Sequence, residues 1–151
     1  MTSSLKTQVS AAGLALIRAA ESFSARLYLC PAGKPTIGYG HVVRPTDRVP
    51  ANLTKTQAEA LMVDDLQPVV IYLNAVFPEL NQNEFDALAS FCFNCGIGAF
   101  EKSTLFKRLK AGDKHGAASQ FARWVHGGGK VLPGLVKRRA IEARMFLQVP
   151  A

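Results

Sequence analysis

The sequence predicts an α+β fold, mostly α, with a small β-hairpin lobe first, a connecting helix next and a larger helical lobe last. Three observations predict it. Strand-like alternation is confined to about residues 26–41, the apolar spacing is helical from Thr54 onward, and caps with Gly and Pro punctuation cut that helical stretch into pieces. The length of 151 residues suits one domain, 1–151, read as a hairpin lobe over about 1–53, a connecting helix over about 54–77 and a helical lobe over about 78–151.

Each element follows from local chemistry. Ser10 is placed to cap a helix carrying Leu14, Leu16 and Ile17, which runs to about Glu21 and leaves that carboxyl at a helix-to-loop junction. Arg26–Cys30 alternates and is rich in strand formers, Pro31-Ala-Gly-Lys-Pro35 turns the chain, and Thr36–His41 reads as the return strand. Period-two facing puts Tyr28 and Cys30 on one side of the first strand, and Thr36, Gly38 and Gly40 on one side of the second. The two glycines leave that face bare, as a site for a bulky ligand requires.

Thr54-x-x-Gln57 is a capping box opening a helix with Ala58, Leu61, Met62, Leu66, Val69, Val70 and Leu73 on its apolar positions, and Pro68 is expected to kink or split it. Asn81-x-x-Glu84 opens a helix through about Cys95, ended by Gly96. Ser103 starts a short helix stopped at Gly112, Asp113 caps another, and Gly127-Gly-Gly129 forms a loop after Trp124. Pro133 suits the first turn of a last helix with Leu135, Ile141, Met145 and Phe146 as its apolar stripe. Lys137, Arg138, Arg139 and Arg144 then form a charged face. Because the stripe is needed for the core, an ordinary core helix is preferred to a membrane-surface helix.

The totals exclude several classes. Apolar residues make up 48% and charged residues 19%, and with a mean hydropathy of +0.09 the chain reads as neither disordered nor membrane-embedded. The apolar run Ala11–Ile17 is broken by Gly13 and stopped by Arg18, too short for a span and without the layout of a cleavable signal. A protein made in the cytoplasm, without an export route or stable membrane anchor, is expected. Three cysteines argue against a disulfide framework, and Cys92-x-x-Cys95 sits in an apolar run without a second pair or a His at ligand spacing. Two core thiols are expected there, with no metal and no cofactor.

Charge is unevenly placed. Residues 1–101 carry seven Lys or Arg against nine Asp or Glu, whereas residues 102–151 carry eleven against two. The C-terminal third, at +9, is a polycation suited to polyanions, with nucleic acid, anionic lipid and the anionic bacterial envelope all qualifying, or else a solvated basic face without a partner. Gly127-Gly-Gly-Lys130 lacks the frame of a phosphate loop.

Residues 21–41 read ESFSARLYLCPAGKPTIGYGH. A Glu closing the first helix, a key position nine residues on, a Thr six beyond that and a Gly-x-Gly-His ending resemble the phage-type lysozymes and endolysins, which have Asp where this sequence has Cys30. Further landmarks in family order are Leu53-Thr-x-x-Gln57-Ala-Glu59 with Asp64-Asp65, then Phe91-Cys-Phe-Asn94-x-Gly96 with Phe100 and Ser103-Thr104. Trp124-Val followed by Gly128-Gly-Lys-Val-Leu-Pro-Gly-Leu-Val-Lys-Arg-Arg139 completes the set, so the resemblance covers about residues 14–147.

The resemblance implies a lysozyme-like two-lobed fold and a muramidase that cuts the β-1,4 bond between N-acetylmuramic acid and N-acetylglucosamine. It implies Glu21 as general acid and a water positioned by Cys30 and Thr36, with Gly40, His41, Asp65, Asn94 and Arg138 binding substrate or supporting the site. His41 is assigned to the second acid of Asp64-Asp65, a structural role. Independently, a Glu at a helix end among apolar neighbours suits a proton donor, and glycoside hydrolysis needs a second group across the sugar ring to handle water. A thiol is mostly neutral unless its neighbours lower its pKa, so Cys30 acts either as a thiolate base or as a holder of water with Thr36. The second is preferred.

The implied partner is peptidoglycan, reached by a monomer that waits in the host cytoplasm until a holin opens the inner membrane and then acts at the periplasm and wall. A lytic transglycosylase forming an anhydro-sugar keeps Glu21 and is the close alternative. An alternative of another class is a basic envelope- or nucleic-acid-binding module. No RNA platform or paired zinc cysteines support nucleic acid.

Overall fold

The computed structural model describes residues 6–150. Met1–Leu5, the start of the stretch read for a leader, and Ala151 lie outside the described residues. The order is α1 (Ala11–Glu21), β1 (Ser24–Leu29), β2 (Pro35–Gly38), β3 (His41–Val42), α2 (Lys55–Val76), α3 (Gln82–Cys95), α4 (Ile97–Glu101), α5 (Thr104–Lys110), α6 (Lys114–Gln120), β4 (His126–Gly127), β5 (Lys130–Val131) and α7 (Pro133–Leu147). The chain is mostly helical with two small antiparallel sheets, β1-β2-β3 and β4-β5. Its described residues divide into two compact units, one formed by Ala15–Pro68 and the other by residues 6–14 with 69–150.

In the Ala15–Pro68 unit, the expected return strand is shorter and a third strand follows it. Gly38 and Gly40 both have positive φ, 68° and 78°, a conformation a Cβ disfavours. They turn the chain at Tyr39-Gly40, and His41-Val42 comes back to pair with Ile37 and Thr36. Tyr28 pairs with Thr36, Leu29 with Pro35 and Ser24 with Gly38, across an irregularity in register. Gly38 has a packing reason too. A Cβ there would lie 3.0 Å from Leu53 Cδ2 and 3.1 Å from Ala58 Cβ. The Thr54–Gln57 box is reciprocal, the Gln57 amide donating to Thr54 Oγ1 at 3.1 Å and the Thr54 amide to Gln57 Oε1 at 2.9 Å. Pro68 neither splits nor ends α2.

In the other unit, Ser10 caps α1 through its Oγ, which accepts from the Gly13 amide at 3.3 Å. The Ser10 hydroxyl in turn donates to the buried carboxylate of Asp86. The Asn81–Glu84 capping box of α3 is complete. The central residues Phe85–Cys92 of α3 are all buried, and Phe91, Phe100 and Phe121 stack edge-to-face among them. Gly96 separates a further short helix, α4, from α3, and Gly127–Lys130 is a tiny hairpin, β4-β5, rather than a plain loop.

α7 bears out part of the expected stripe, with Phe146 buried and Leu135 and Met145 half-buried, but Ile141 is exposed and Arg138, Arg139 and Glu142 are buried instead. The reason is pairing of charge, although Arg139 Nε and Glu142 Oε1 meet as an ion pair without a well-formed hydrogen bond. Glu142 Oε2 accepts from Ser90 Oγ at 2.5 Å and lies 3.3 Å from Arg138 Nε, and its Oε1 lies 3.0 Å from Arg139 Nε. Arg138 Nη2 also donates to the Ser90 carbonyl at 3.1 Å. Buried charge is tolerated where it is paired and hydrogen-bonded.

Candidate active site

Glu21 is the last residue of α1. The helix stops there because Ser22 adopts φ 62°, the left-handed geometry that ends helices, while its amide still donates to the Arg18 carbonyl at 3.1 Å. One turn back, Arg18 pairs with Glu59 of α2. The Glu21 carboxylate lies against the turn after β2: a Cβ on Gly40 would sit 2.7 Å from Glu21 Oε2. Gly40 is therefore required twice, by its φ and by the carboxyl resting on it. This replaces the sequence-based reason for the two glycines, which was a face left bare for ligand.

Cys30 follows β1 at the start of a tight turn. Its amide donates to the Lys34 carbonyl at 2.9 Å, and the Gly33 amide donates to the Cys30 carbonyl at 2.7 Å. The turn aims donors at the half-buried sulfur. The Lys34 amide has the largest effect, and with the Ala32 amide, the Thr36 hydroxyl and the Lys34 charge it outweighs desolvation, so the thiol pKa lies below its ordinary value. Thr36, on β2, is 2% exposed, and the Lys34 carbonyl, 3.0 Å from its Oγ1, competes with the sulfur for the one hydroxyl proton. Strand alternation from Tyr28, the cross-strand partner of Thr36, puts Cys30 and Thr36 on the same face.

His41 is buried between two carboxylates, with Nδ1 2.7 Å from Asp65 and Nε2 2.9 Å from Asp47. Ionised carboxylates only accept, so this arrangement is fully satisfied when the imidazole is protonated and both ring nitrogens donate. Burial works against that charge, yet the bonds to Asp65 and Asp47 prevail and raise the His41 pKa. Desolvation raises the Asp65 pKa, whereas Asp47 is lowered, first by the Arg44 amide and then by His41. This cluster ties β3 to α2 one residue after Gly40. Sequence reasoning missed Asp47, whose signal was an acid three residues after Arg44 across a Pro-containing turn.

Within Ala15–Pro68 the structure thus brings Glu21 onto Gly40, Cys30 to Thr36 and His41 to Asp65. Asn94 and Arg138 belong to the other unit. There Asn94 Oδ1 accepts from Arg139 at 2.5 Å, and Arg139 also donates to Cys95 Sγ at 2.9 Å. Asn94, Cys95, Arg123, Trp124, His126 and Leu135 line a cavity of about 440 Å³. Burial pushes the pKa of Cys92 up, and the same effect dominates at half-buried Cys95, so neither is a poised nucleophile. Among the described residues no cluster of three His, Cys, Asp or Glu side chains is arranged to hold a metal, and no helix is long and apolar enough to cross a membrane.

The sequence matches the phage lysozyme family over residues 18–142. It is 40% identical over 143 residues to an endolysin of Acyrthosiphon pisum secondary endosymbiont phage 1, covering 91% of this chain and 97% of that one. It is 43% identical over 143 residues to an endolysin of Bacillus phage PZA, covering 92% of this chain and 55% of that protein, so it spans about half of that relative's length. Among solved structures, the muramidase domain of SpmX from Asticaccaulis excentricus superposes with a TM-score of 0.84 at 38% identity, over 94% of this chain and 99% of that one.

Proposed function

The chain belongs to the phage lysozyme family, and from that premise we propose that Glu21 is its general acid and that Cys30 with Thr36 handles the attacking water. The protein is a lysozyme-type glycosidase that acts on peptidoglycan in bacterial cell-wall lysis. The observation that supports the assignment is that one compact unit holds both a carboxyl seated on a glycine turn and a thiol and hydroxyl that share a sheet face.

In this reading Glu21 gives its proton to the oxygen leaving N-acetylmuramic acid C1 as the C1–O bond breaks. A water held by Cys30 and Thr36 attacks C1 from the opposite face and releases a proton, giving the inverted sugar. The lowered thiol pKa favours a second version, in which the Cys30 thiolate accepts that proton and returns it to solvent. Gly40, His41 and Asp65 support the acid, and Asn94 and Arg138 serve substrate binding or support in the other unit. We assign no cofactor to the reaction, and infer a monomer held in the host cytoplasm until a holin gives access to the wall.

The test is turbidity loss of outer-membrane-permeabilised Gram-negative cells. Glu21→Gln is expected to fold normally and to lose about 10²–10⁴-fold or more in rate, and near-parental lysis by it sinks the assignment. Cys30→Ser separates the two versions: much activity survives if Cys30 only positions water, and little survives if it is the base, while Cys30→Asp stays active in both. Product mass decides the chemistry. A product lighter by one water marks a transglycosylase instead.

A further inference from the structure

Two aromatic residues close a ring around the seat of Glu21. Phe23, two residues past Glu21, is half-buried, and Tyr39, directly before Gly40, is buried. Their ring centroids lie 5.5 Å apart at an interplanar angle of 53°, a favourable tilted contact. Glu21 in turn rests on Gly40, where a Cβ would come within 2.7 Å of its Oε2. The path from Glu21 through Ser22 to Phe23, across to Tyr39, on to Gly40 and back to Glu21 is therefore a closed circuit. It consists of two short covalent segments joined by two contacts.

The backbone inside this circuit is strained. Ser22, at φ 62°, is the only residue other than glycine with positive φ among the described residues, and a Cβ makes that conformation costly. Such a cost persists where surrounding contacts over-determine it. Ser22 itself is exposed, so the packing that offsets it comes from its neighbour Phe23 on Tyr39, with Lys55 Nζ 5.8 Å from the Phe23 ring centroid. Tyr39 sits between the left-handed Gly38 and Gly40, so its ring and the turn that seats the carboxyl are placed together. Phe23 leads directly into β1 and Tyr39 directly follows β2, the strands next to Cys30 and bearing Thr36.

We propose that Phe23 and Tyr39 are positioning residues for the acid: their contact holds the Glu21 carboxyl on Gly40 and ties the end of α1 to the sheet that carries the water-handling face. The proposal rests on the reading of Glu21 as general acid. Neither ring touches the reacting atoms. Their effect is on rate, because a small displacement of a reacting group is costly in turnover while leaving substrate contacts elsewhere in place.

Turnover of soluble peptidoglycan fragments by the whole chain, with kcat and KM separated and folding checked by circular dichroism, tests it. Phe23→Leu and Tyr39→Leu keep apolar bulk but remove a ring, and each is expected to lower kcat about tenfold with KM unchanged. Because the two rings make one contact, the double variant is expected to lose about tenfold as well, not the product of the two losses. Tyr39→Phe keeps the ring and is expected to stay within about twofold of the parent. Where a leucine variant unfolds, the comparison is made on a Ser22→Gly background, which restores stability because glycine adopts φ 62° without the Cβ penalty. On a Glu21→Gln background Phe23→Leu is expected to cost nothing further, since the ring acts through the carboxyl. Parental kcat in the folded leucine variants, a loss carried by KM alone, an equal loss with Tyr39→Phe, or the full loss retained on Glu21→Gln would each overturn the proposal. Near-parental turnover by Glu21→Gln alone is a distinct result, which overturns the general-acid reading and the positioning role with it.

Discussion

The two compact units both bury charge, in opposite arrangements. In one, a titratable cation, His41, lies between two carboxylates; in the other, a single carboxylate, Glu142, lies between two guanidiniums. The difference decides how each responds to change. Arginine does not deprotonate in any useful pH range, so the second cluster depends on the Glu142 carboxylate. The first depends on pH, because its central member can lose its charge.

The largest expected effect breaks the second cluster. Glu142→Ala leaves Arg138 and Arg139 without the carboxylate they share, and removal of one partner from a buried pair costs about 3–5 kcal/mol. Urea denaturation measures it. A loss below 1 kcal/mol would mean that Ser90, Asn94 and Cys95 suffice to hold the guanidiniums.

The next prediction sharpens the contrast through pH. The His41 pKa is raised in the folded state, so its contribution is fully present below the unfolded value of about 6.5 and is lost as pH rises through the folded value. His41→Gln is expected to remove that slope above about pH 6.5 and to cost on the order of 1–3 kcal/mol at pH 6, the scale of hydrogen bonds to charged groups. Glu142 has a raised pKa too, caused first by burial, so its contribution changes with pH in the same direction, falling as pH rises from the unfolded carboxyl value through the folded one. Parallel stability curves for parent and His41→Gln across pH 6 to 9 would refute the His41 reading.

The smallest effect separates backbone strain from contact at the site itself. Gly33 and Gly40 share nearly the same φ, 76° and 78°, but a Cβ on Gly33 meets nothing within 4 Å whereas one on Gly40 meets Glu21. Both alanine variants should lose about 1–2 kcal/mol from the left-handed backbone. Gly40→Ala alone should also depress the lysis rate by displacing the acid. Equal rates in the two variants would show that Glu21 does not depend on its seat at Gly40.

Local signals carried much of the fold. The Thr54–Gln57 and Asn81–Glu84 boxes, the Ser10 and Asp113 caps and the end of α1 at Glu21 were legible because each rests on residues no more than a few positions apart. The spacing of Glu21, Cys30, Thr36 and Gly-x-Gly-His was legible because it resembles a family pattern, not because the residues are neighbours in sequence. It carried the family, and with it the glycosidase activity. Tertiary structure decided which side chains the turns and neighbouring elements bring together. It gave His41 a second acid in Asp47, surrounded the Cys30 sulfur with turn amides, used Gly40 to seat a carboxyl and Gly38 to admit Leu53 and Ala58, and turned the arginines of α7 inward onto Ser90 and Asn94. Periodicity records how often an apolar residue recurs, whereas burial of a charge depends on partners supplied by another element, and a single helix's sequence does not contain them.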